Sequence, residues 1–350
     1  MTTKLAFIGF GGVGQALAEI VLERKEMLEN QHHLDVSVVA VADMMKGSVY
    51  HPDGLDISKL LSCVRENGSV ETYPEDGRTI TGWTNTETII HSNADVIVEV
   101  TYTDVKTGEP AITHCRTAFK NKKSVITTNK GPVALAYEEL SELAKAKGVF
   151  FGFEGTVMSG TPALRMPKTT LLGNEIKEIK GILNGTTNYM ITEMEKGLSY
   201  QEALEKAQQL GYAEADPTSD VEGYDARYKT AILSNYVMGV PISHKEVGCE
   251  GISGLTVDDV QSALNQGQKY RLLARITRRN GSVEASVKPE RIAQDDPLAG
   301  VTGATNAIVY ECDLAGSIML TGAGAGLKET GYSLLIDLIH FNQQRILAKT

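Results

Sequence analysis

Three ionisable residues near the middle of the chain have types and spacing that suit proton transfer. Asp225 and Lys229 are four residues apart where the pattern becomes helical, so their side chains share one face of the helix. Glu214 precedes them in a loop broken by Asp216-Pro217, and it joins them only if that loop folds back. Together these groups could hold a small zwitterion and move a proton. The alternative is a solvated surface bridge between Asp225 and Lys229, which contributes about 0.3–0.5 kcal/mol.

Composition excludes several classes of protein. The chain has 350 residues, of which 42% are hydrophobic and 22% charged, as in a globular protein of about two domains. A net charge of −10 argues against nucleic acid as a partner. The sequence lacks an apolar run of the roughly 20 residues that span a membrane, and it lacks a signal-peptide pattern, so we expect a cytoplasmic protein with no membrane partner. The cysteines are scattered singly, and the histidines lack the spacing of transition-metal ligands.

A glycine-rich turn near the start predicts a dinucleotide-binding fold. The GxGxxG pattern at 9–14 follows a short apolar run and precedes a helical pattern. Its glycines allow a tight turn and close approach of a pyrophosphate, while the helix N-terminus offers free N–H groups. The next predicted strand, Val36 to Ala42, ends in Asp43, where this fold places the acid that binds the ribose hydroxyls. The predicted cofactor contacts in the turn are Gly9, Phe10, Gly11, Val13 and Gly14.

The residues that follow leave the choice between NAD and NADP open. The charge of Asp43 repels a 2′-phosphate and so favours NAD. Lys46, three residues on, could instead swing toward that phosphate. The segment from Gly47 to Trp83, which contains two turn motifs and a short helix, predicts an excursion from the sheet.

Strands and helices then alternate, which predicts a parallel sheet. Asp95–Val100 and Ser124–Thr128 are expected to be buried strands. Ligands bind beyond the carboxyl ends of such strands, so Thr101 and the segment Thr128-Asn129-Lys130 stand where a nicotinamide riboside would lie. The alternative for Lys130 is a surface lysine in a turn before Pro132.

The pattern changes at Glu154, where a small, polar, glycine-bearing loop replaces the next strand. We predict a dinucleotide-binding domain over 1–154 and a catalytic and dimerisation domain over 155–316. The second domain carries an Asn280-Gly281 hairpin signal and a capping box of Ser199 with Glu202. Residues 317–350 form a strand, glycine loop and helix that we expect to return to the first domain. The predicted fold class is α/β, a Rossmann-type doubly wound parallel sheet plus an α+β domain.

Six motifs along nearly the whole chain resemble those of homoserine dehydrogenases, in that family's order and spacing. They are GFGGVG at 9–14, TTNKGPVA at 127–134, FEGTVMSGTP at 153–162, NGTTNYM at 184–190, GYAEADPTSDVEGYDARYK at 211–229 and GAGAG at 322–326.

The resemblance implies roles for individual residues. Lys229 matches the family's acid/base, Asp225 its companion aspartate, and Glu214 the glutamate that holds the substrate ammonium. Thr186 matches a threonine of the substrate loop. The resemblance also implies cofactor contacts at Thr101, Lys130 and Gly326. A monovalent cation site, with sodium the expected ion, would be built largely from main-chain carbonyls of Glu154, Val157, Ser159 and Thr161.

The activity implied by the resemblance is reversible, NAD- or NADP-dependent conversion of L-homoserine to L-aspartate 4-semialdehyde, in threonine, methionine and isoleucine biosynthesis. The residue types suit this reaction, because a lysine can move the proton that hydride transfer leaves behind. A homodimer is expected, since the second domain's sheet has one face to cover. The chain starts at the first strand and stops after the last helix, so control through a separate regulatory domain is not expected.

Two alternatives stay open from the sequence. Another Rossmann dehydrogenase acting on an amino acid or a sugar would share the features of the first 150 or so residues. A non-catalytic dinucleotide sensor would need the glycine turn but would have no use for three ionisable groups together.

Overall fold

A computed structural model describes residues 2–104 and 106–348 of the chain. The chain divides into two compact units. Unit 1 comprises the residues up to Thr156 and those from Gly326 onward, and unit 2 comprises Val157–Ala325. Within the described ranges, no helix combines the length and the apolar character needed to cross a bilayer.

The first stretch of unit 1 alternates strands with helices. Its strands are β1 Thr3–Ile8, β2 Val36–Asp43, β3 Gly47–Leu55, β4 Ile80–Thr81, β5 Val96–Glu99, β6 Ser124–Thr127 and β7 Phe151–Gly152. Its helices are α1 Gly12–Glu23, α2 Lys25–His32, α3 Ile57–Asn67, α4 Asn85–His91, α5 Ala111–Lys120, α6 Lys130–Leu135 and α7 Tyr137–Lys147.

The sheet of unit 1 has the strand order β4-β3-β2-β1-β5-β6-β7. Strands β2, β1, β5, β6 and β7 are parallel, which confirms the predicted Rossmann-type sheet. The prediction that residues 47–83 leave the sheet is wrong for Gly47–Leu55 and Ile80–Thr81, whereas the short helix predicted between them is confirmed as α3. A tight turn pairs Asp43 with Gly47, so β3 runs back antiparallel along β2, and β4 then adds to β3.

Unit 2 is an α+β unit. Its strands are β8 Ile176–Ile182, β9 Gly248–Cys249, β10 Gln268–Arg279, β11 Ser282–Ala293, β12 Thr305–Cys312 and β13 Gly316–Ala323. Its helices are α8 Arg165–Thr170, α9 Gly185–Glu195, α10 Tyr200–Gln209, α11 Thr218–Val221, α12 Tyr224–Ile232 and α13 Val257–Asn265. A π-helical segment, Leu233–Met238, continues α12.

The sheet of unit 2 has the order β13-β12-β8-β10-β11-β9. The predicted hairpin is confirmed: β10 and β11 are antiparallel, and Asn280 and Gly281 both have positive φ, 48° and 88°, as a two-residue hairpin turn requires. The capping box is confirmed too, because Ser199 accepts from the Glu202 N–H while the Glu202 carboxylate accepts from the Ser199 N–H.

The last helix, α14 (Leu327–Leu347), belongs to unit 1. The sequence predicts that the segment returning to unit 1 begins at residue 317, whereas unit 1 resumes at Gly326. The reason is that β13 is hydrogen-bonded to β12 along its whole length and so belongs to the sheet of unit 2. Each face of the unit 1 sheet is covered by its own hydrophobic cluster, because alternate residues of the parallel strands point to opposite faces. Leu5 belongs to the cluster that includes residues of α14, and Ala6 belongs to the cluster on the other face.

Candidate active site

Lys229, which is buried, and Asp225, which is partly buried, form an ion pair on α12. The Lys229 Nζ donates to Asp225 Oδ2 at 2.7 Å and to the main-chain oxygen of Leu183 at 2.6 Å. Only 6% of Lys229 is exposed. The predicted helical spacing of the pair is therefore confirmed, whereas the alternative of a solvated surface bridge is wrong. Helix α12 is buried around most of its circumference, so a charge on it must find its partners inside the protein.

Asn184 joins this pair to a second aspartate. It is the N-cap of α9, and its Oδ1 accepts from the Thr187 N–H at 2.9 Å. Its Nδ2 donates to Asp225 Oδ2 at 3.0 Å and to Asp220 Oδ1 at 2.7 Å. One amide side chain thus caps α9 and donates to two carboxylates.

Asp220 also belongs to this cluster, although the sequence analysis did not identify it. Its Oδ2 lies 3.1 Å from the Thr186 hydroxyl, which also bonds the Tyr212 carbonyl at 2.6 Å. Burial raises the pKa of the Asp220 carboxyl, and the neighbouring Asp225 carboxylate raises it further. The five-residue separation of Asp220 and Asp225 carries no helical signal, because the chain turns between α11 and α12 at Gly223, whose φ is +76°.

The predicted ammonium-binding residue Glu214 lies outside the cluster. The loop does fold back, since the Tyr212 carbonyl reaches Thr186, but the Glu214 side chain is exposed. Its main-chain oxygen accepts from Gln208 Nε2 at 3.0 Å. Its carboxylate bonds no residue in the part of the chain that the structure describes. The structure therefore gathers Lys229, Asp225 and Thr186, and leaves the role of Glu214 a prediction.

The cluster has the groups for proton transfer and for binding a cationic ligand. A lysine ammonium has three hydrogens, and Lys229 uses two of them on protein oxygens. Across residues 2–104 and 106–348, no third acceptor bonds its Nζ, so one hydrogen is available to a ligand oxygen. Two carboxylates beside one ammonium leave an excess of negative charge, which favours an ammonium group on the ligand.

The glycine turn of unit 1 fits a pyrophosphate. Gly9 has φ +91°, and a Cβ there would lie 2.6 Å from the Val100 oxygen, so a side chain is excluded. A Cβ on Gly11 would meet nothing within 4 Å, which leaves open space in front of the N-terminus of α1. A Cβ on Gly14 would lie 3.0 Å from the Gly9 oxygen, so this glycine permits close packing of helix on strand. Phe10 is buried in the core, and Val13 lies on the first turn of α1.

Asp43 is held by the same turn. Its Oδ2 accepts from the Phe10 N–H at 2.7 Å, and its Oδ1 accepts from the N–H groups of Met45 and Lys46 at 2.9 and 3.1 Å. A carboxylate has about four acceptor sites, so one remains for a ribose hydroxyl. Gly326 is the N-cap of α14, and the adjoining Leu327 packs against Gly12 of α1.

Thr101 and Lys130 lie at the same edge of the unit 1 sheet. Thr101 follows β5, and Lys130 opens α6 three residues after β6, the parallel neighbour of β5. This is the carboxyl edge of the strands, where ligands bind in such folds.

The predicted cation ligands Glu154, Val157, Ser159 and Thr161 follow one another on a sharply bent segment. Met158 and Ser159 have φ of +58° and +51°, and the Thr161 N–H donates to the Met158 oxygen at 3.0 Å. In the described ranges, no group of three or more His, Cys, Asp or Glu side chains is arranged for a metal ion. A site made from main-chain carbonyls stays a prediction.

We expect Asp220→Asn to stabilise the protein near neutral pH. Because the pKa of Asp220 is raised, the folded state binds this proton more tightly than the unfolded chain. That stability is complete below the ordinary aspartate pKa and is lost as the pH rises through the raised value. The introduced amide can accept from Asn184 and donate to the Thr186 hydroxyl at every pH.

Thermal unfolding across pH tests this expectation. The Tm of the variant should exceed that of the wild type near neutral pH, and the gap should close toward about pH 4, the ordinary pKa of aspartate. Asp216→Asn is the matched control, because Thr218 lowers the pKa of that exposed carboxyl and the sign should reverse. A less stable Asp220→Asn variant at neutral pH would contradict the assignment.

Two protein families match separate parts of the chain. Residues 162–339 match the family described as homoserine dehydrogenase. Residues 2–120 match the family described as glutamate/leucine/phenylalanine/valine dehydrogenase.

Relatives match over almost the full chain. The NAD(+)-dependent homoserine dehydrogenase of Pseudomonas canavaninivorans is 43% identical over 97% of this chain and 96% of its own. The homoserine dehydrogenase of Methanocaldococcus jannaschii is 41% identical over 96% of this chain and 97% of its own. A hyperthermophilic archaeal homoserine dehydrogenase, solved in complex with NADPH, has a TM-score of 0.83 and 29% identity and covers 98% of both chains. The match of more than half the chain to one family, together with these relatives, makes this protein a member of the homoserine dehydrogenase family.

Proposed function

We propose that the protein is a homoserine dehydrogenase that interconverts L-homoserine and L-aspartate 4-semialdehyde with NAD or NADP. The observation that carries the proposal is the pair of buried Lys229 with partly buried Asp225, whose ammonium keeps one hydrogen for a ligand oxygen. Family membership and the glycine turn at 9–14 support the same conclusion.

Lys229 is proposed to move the proton at the reacting oxygen. The nicotinamide, when bound, accepts or supplies the hydride. In oxidation, the amine of Lys229 takes the hydroxyl proton of homoserine as the carbon–oxygen double bond forms. In reduction, the Lys229 ammonium returns a proton to the aldehyde oxygen. Asp225 and the Leu183 carbonyl hold the Nζ in place, so the side chain enters the reaction already oriented.

The substrate ammonium is proposed to bind carboxylates of the 211–229 segment. Asp220 already lies in the cluster, where Asn184 and Thr186 hold it. Glu214 is exposed on the loop that Tyr212 anchors to Thr186, so it can reach the ligand by a change of its side chain and loop. Charge-assisted hydrogen bonds of this kind select an amino acid over a simple alcohol.

We expect Lys229→Ala to abolish most of the turnover. General acid–base groups contribute about 10²–10⁴-fold, so kcat for homoserine-dependent NAD or NADP reduction should fall by that order. The wild-type assay, with serine and a simple alcohol as comparison substrates, tests the proposed function itself.

Lys177→Ala removes an exposed lysine of the same unit and is the matched control. Binding of the dinucleotide, measured by calorimetry, should be unchanged in both variants, since its proposed contacts lie in unit 1. A Lys229→Ala enzyme with near-normal kcat would reject the role of Lys229. A wild type inactive on homoserine would reject the function.

Replacement of Glu214 should raise the KM for homoserine. Loss of a hydrogen bond to a charged group costs about 1.5–3 kcal/mol, so Glu214→Leu should raise KM by roughly 10–100-fold with a smaller change in kcat. Asp216→Asn, an exposed carboxylate of the same loop, is the control. If KM stays the same, Glu214 does not hold the ammonium, and Asp220 becomes the carboxylate to test.

The carboxyl end of β2 favours NAD as the cofactor. Lys46, which could have bound a 2′-phosphate, has its Nζ 3.8 Å from Asp43 Oδ1 and is thus partly neutralised. A cavity of about 440 Å³ there is lined by Asp43, Glu71 and Trp83 among others. The Glu71 carboxylate accepts from the Ser48 N–H at 3.2 Å, so a second negative charge is fixed at this cavity. A doubly charged phosphate would meet both carboxylates.

We therefore expect wild-type protein to bind NAD more tightly than NADP in calorimetry. Asp43→Asn should narrow the ratio of the two Kd values by at least about tenfold, because it removes a charge beside the 2′ position. Glu66→Gln, an exposed carboxylate on α3, should leave the ratio unchanged. A wild type that prefers NADP would overturn this choice.

A homodimer is proposed through the sheet of unit 2. One face of this sheet carries side chains of both charges: Arg275 bonds Glu178 and Glu290 at 2.5 and 2.9 Å, and Lys180 lies 3.7 Å from Glu311. A face with both signs of charge can pair with its own copy across a two-fold axis.

We also propose that a sodium ion binds main-chain carbonyls of residues 154–161.

A further inference from the structure

Glu99, the last residue of β5, is a carboxylate with no solvent exposure. The other residues of this strand, Val96, Ile97 and Val98, are fully buried and apolar. A buried carboxylate costs several kcal/mol unless hydrogen bonds or a counter-charge compensate it. An aliphatic residue would fill this core position without that cost, so packing does not explain a glutamate here.

Donors from both neighbouring loops and from α5 meet at the Glu99 carboxylate. Oε1 accepts from the Thr101 hydroxyl at 2.5 Å and contacts His114 Nδ1 at 3.2 Å. Oε2 accepts from the Thr127 hydroxyl at 3.3 Å and from Asn129 Nδ2 at 2.6 Å. An ionised carboxylate only accepts, so the contact with His114 is favourable when its Nδ1 carries the hydrogen.

Asn129 closes the network between the two loops. Besides donating to Glu99, its Nδ2 donates to the Thr101 carbonyl at 2.9 Å. Thr101 follows β5, and Asn129 is the N-cap of α6, directly before Lys130. The loop after β5 and the loop after β6 are therefore joined by one carboxylate and one amide.

We propose that Glu99 is a positioning residue that sets the arrangement of Thr101 and Lys130, and thereby the nicotinamide end of the dinucleotide site. This inference rests on the proposed function. Parallel neighbours β5 and β6 end side by side, but strand pairing alone does not fix the loops beyond them. Five hydrogen-bond contacts to a buried charge supply that constraint, counting the Thr101 N–H at 3.4 Å.

Loss of the Glu99 carboxylate should affect the two halves of a bound dinucleotide differently. The glycine turn and Asp43 are held by other contacts, to Ala42 and Phe10. Loss of the Glu99 charge should therefore weaken binding of the nicotinamide half and leave the adenosine and pyrophosphate half intact. General damage to the fold would weaken both.

Calorimetry on the full chain with NAD and with ADP-ribose, which lacks nicotinamide, tests the proposal. Glu99→Gln keeps the shape but places an amide group where two donors converge. We expect Kd for NAD to rise at least about tenfold and Kd for ADP-ribose to stay within about twofold. Glu139→Gln, a carboxylate paired with Arg116 on the surface of the same unit, is the control and should change neither.

Asn129→Ala keeps the proposal testable if Glu99→Gln fails to fold. This substitution removes the hydrogen bonds between the two loops but leaves Glu99 its other donors. The Kd for NAD should therefore again rise more than the Kd for ADP-ribose, but by a smaller factor than in Glu99→Gln. An equal loss for both ligands, or an unchanged Kd for NAD, would overturn the proposal. A wild type that binds neither ligand would instead overturn the proposed function.

Discussion

The constraint on which unit 2 depends is the buried charge of Lys229, paired with the partly buried Asp225. A charge in the interior is costly unless its partners are fixed, and here they come from α12 itself, from the end of β8 through Leu183, and from Asn184 at the start of α9. Leu183 and Asn184 lie where the sheet turns into helix, between β8 and α9. The contacts that stabilise the charge of Lys229 therefore also fix the position of its ammonium group.

Asn184 shows how a local feature serves the site. As an N-cap its side-chain oxygen satisfies the start of α9, which leaves the amide nitrogen pointing at two aspartates. This donor offsets part of the repulsion between the Asp220 and Asp225 carboxylates. Burial raises the pKa of the Asp220 carboxyl, and the remaining repulsion from Asp225 raises it further.

In unit 1, two carboxylates are stabilised mainly by neutral hydrogen-bond donors. Asp43 and Glu99 are carboxylates at the carboxyl ends of β2 and β5, and both are held chiefly by main-chain or uncharged side-chain groups. Asp43 organises the glycine turn, and Glu99 organises the loops after β5 and β6. Carboxylates at the carboxyl edge of the sheet therefore hold the loops beside them in place. Asp43 can still accept one further hydrogen bond from a ligand.

Local patterns in the sequence determined much of this protein. The strand, glycine turn and helix at the start, the Asn280-Gly281 hairpin, the capping box at Ser199 and the helical spacing of Asp225 and Lys229 depend on residues close in the chain, so they were predictable. Tertiary structure alone decided that β3 and β4 extend the sheet, that β13 belongs to unit 2, that Asp220 enters the cluster and that Glu214 stays exposed. These features depend on pairing and burial between distant residues, which no local periodicity encodes.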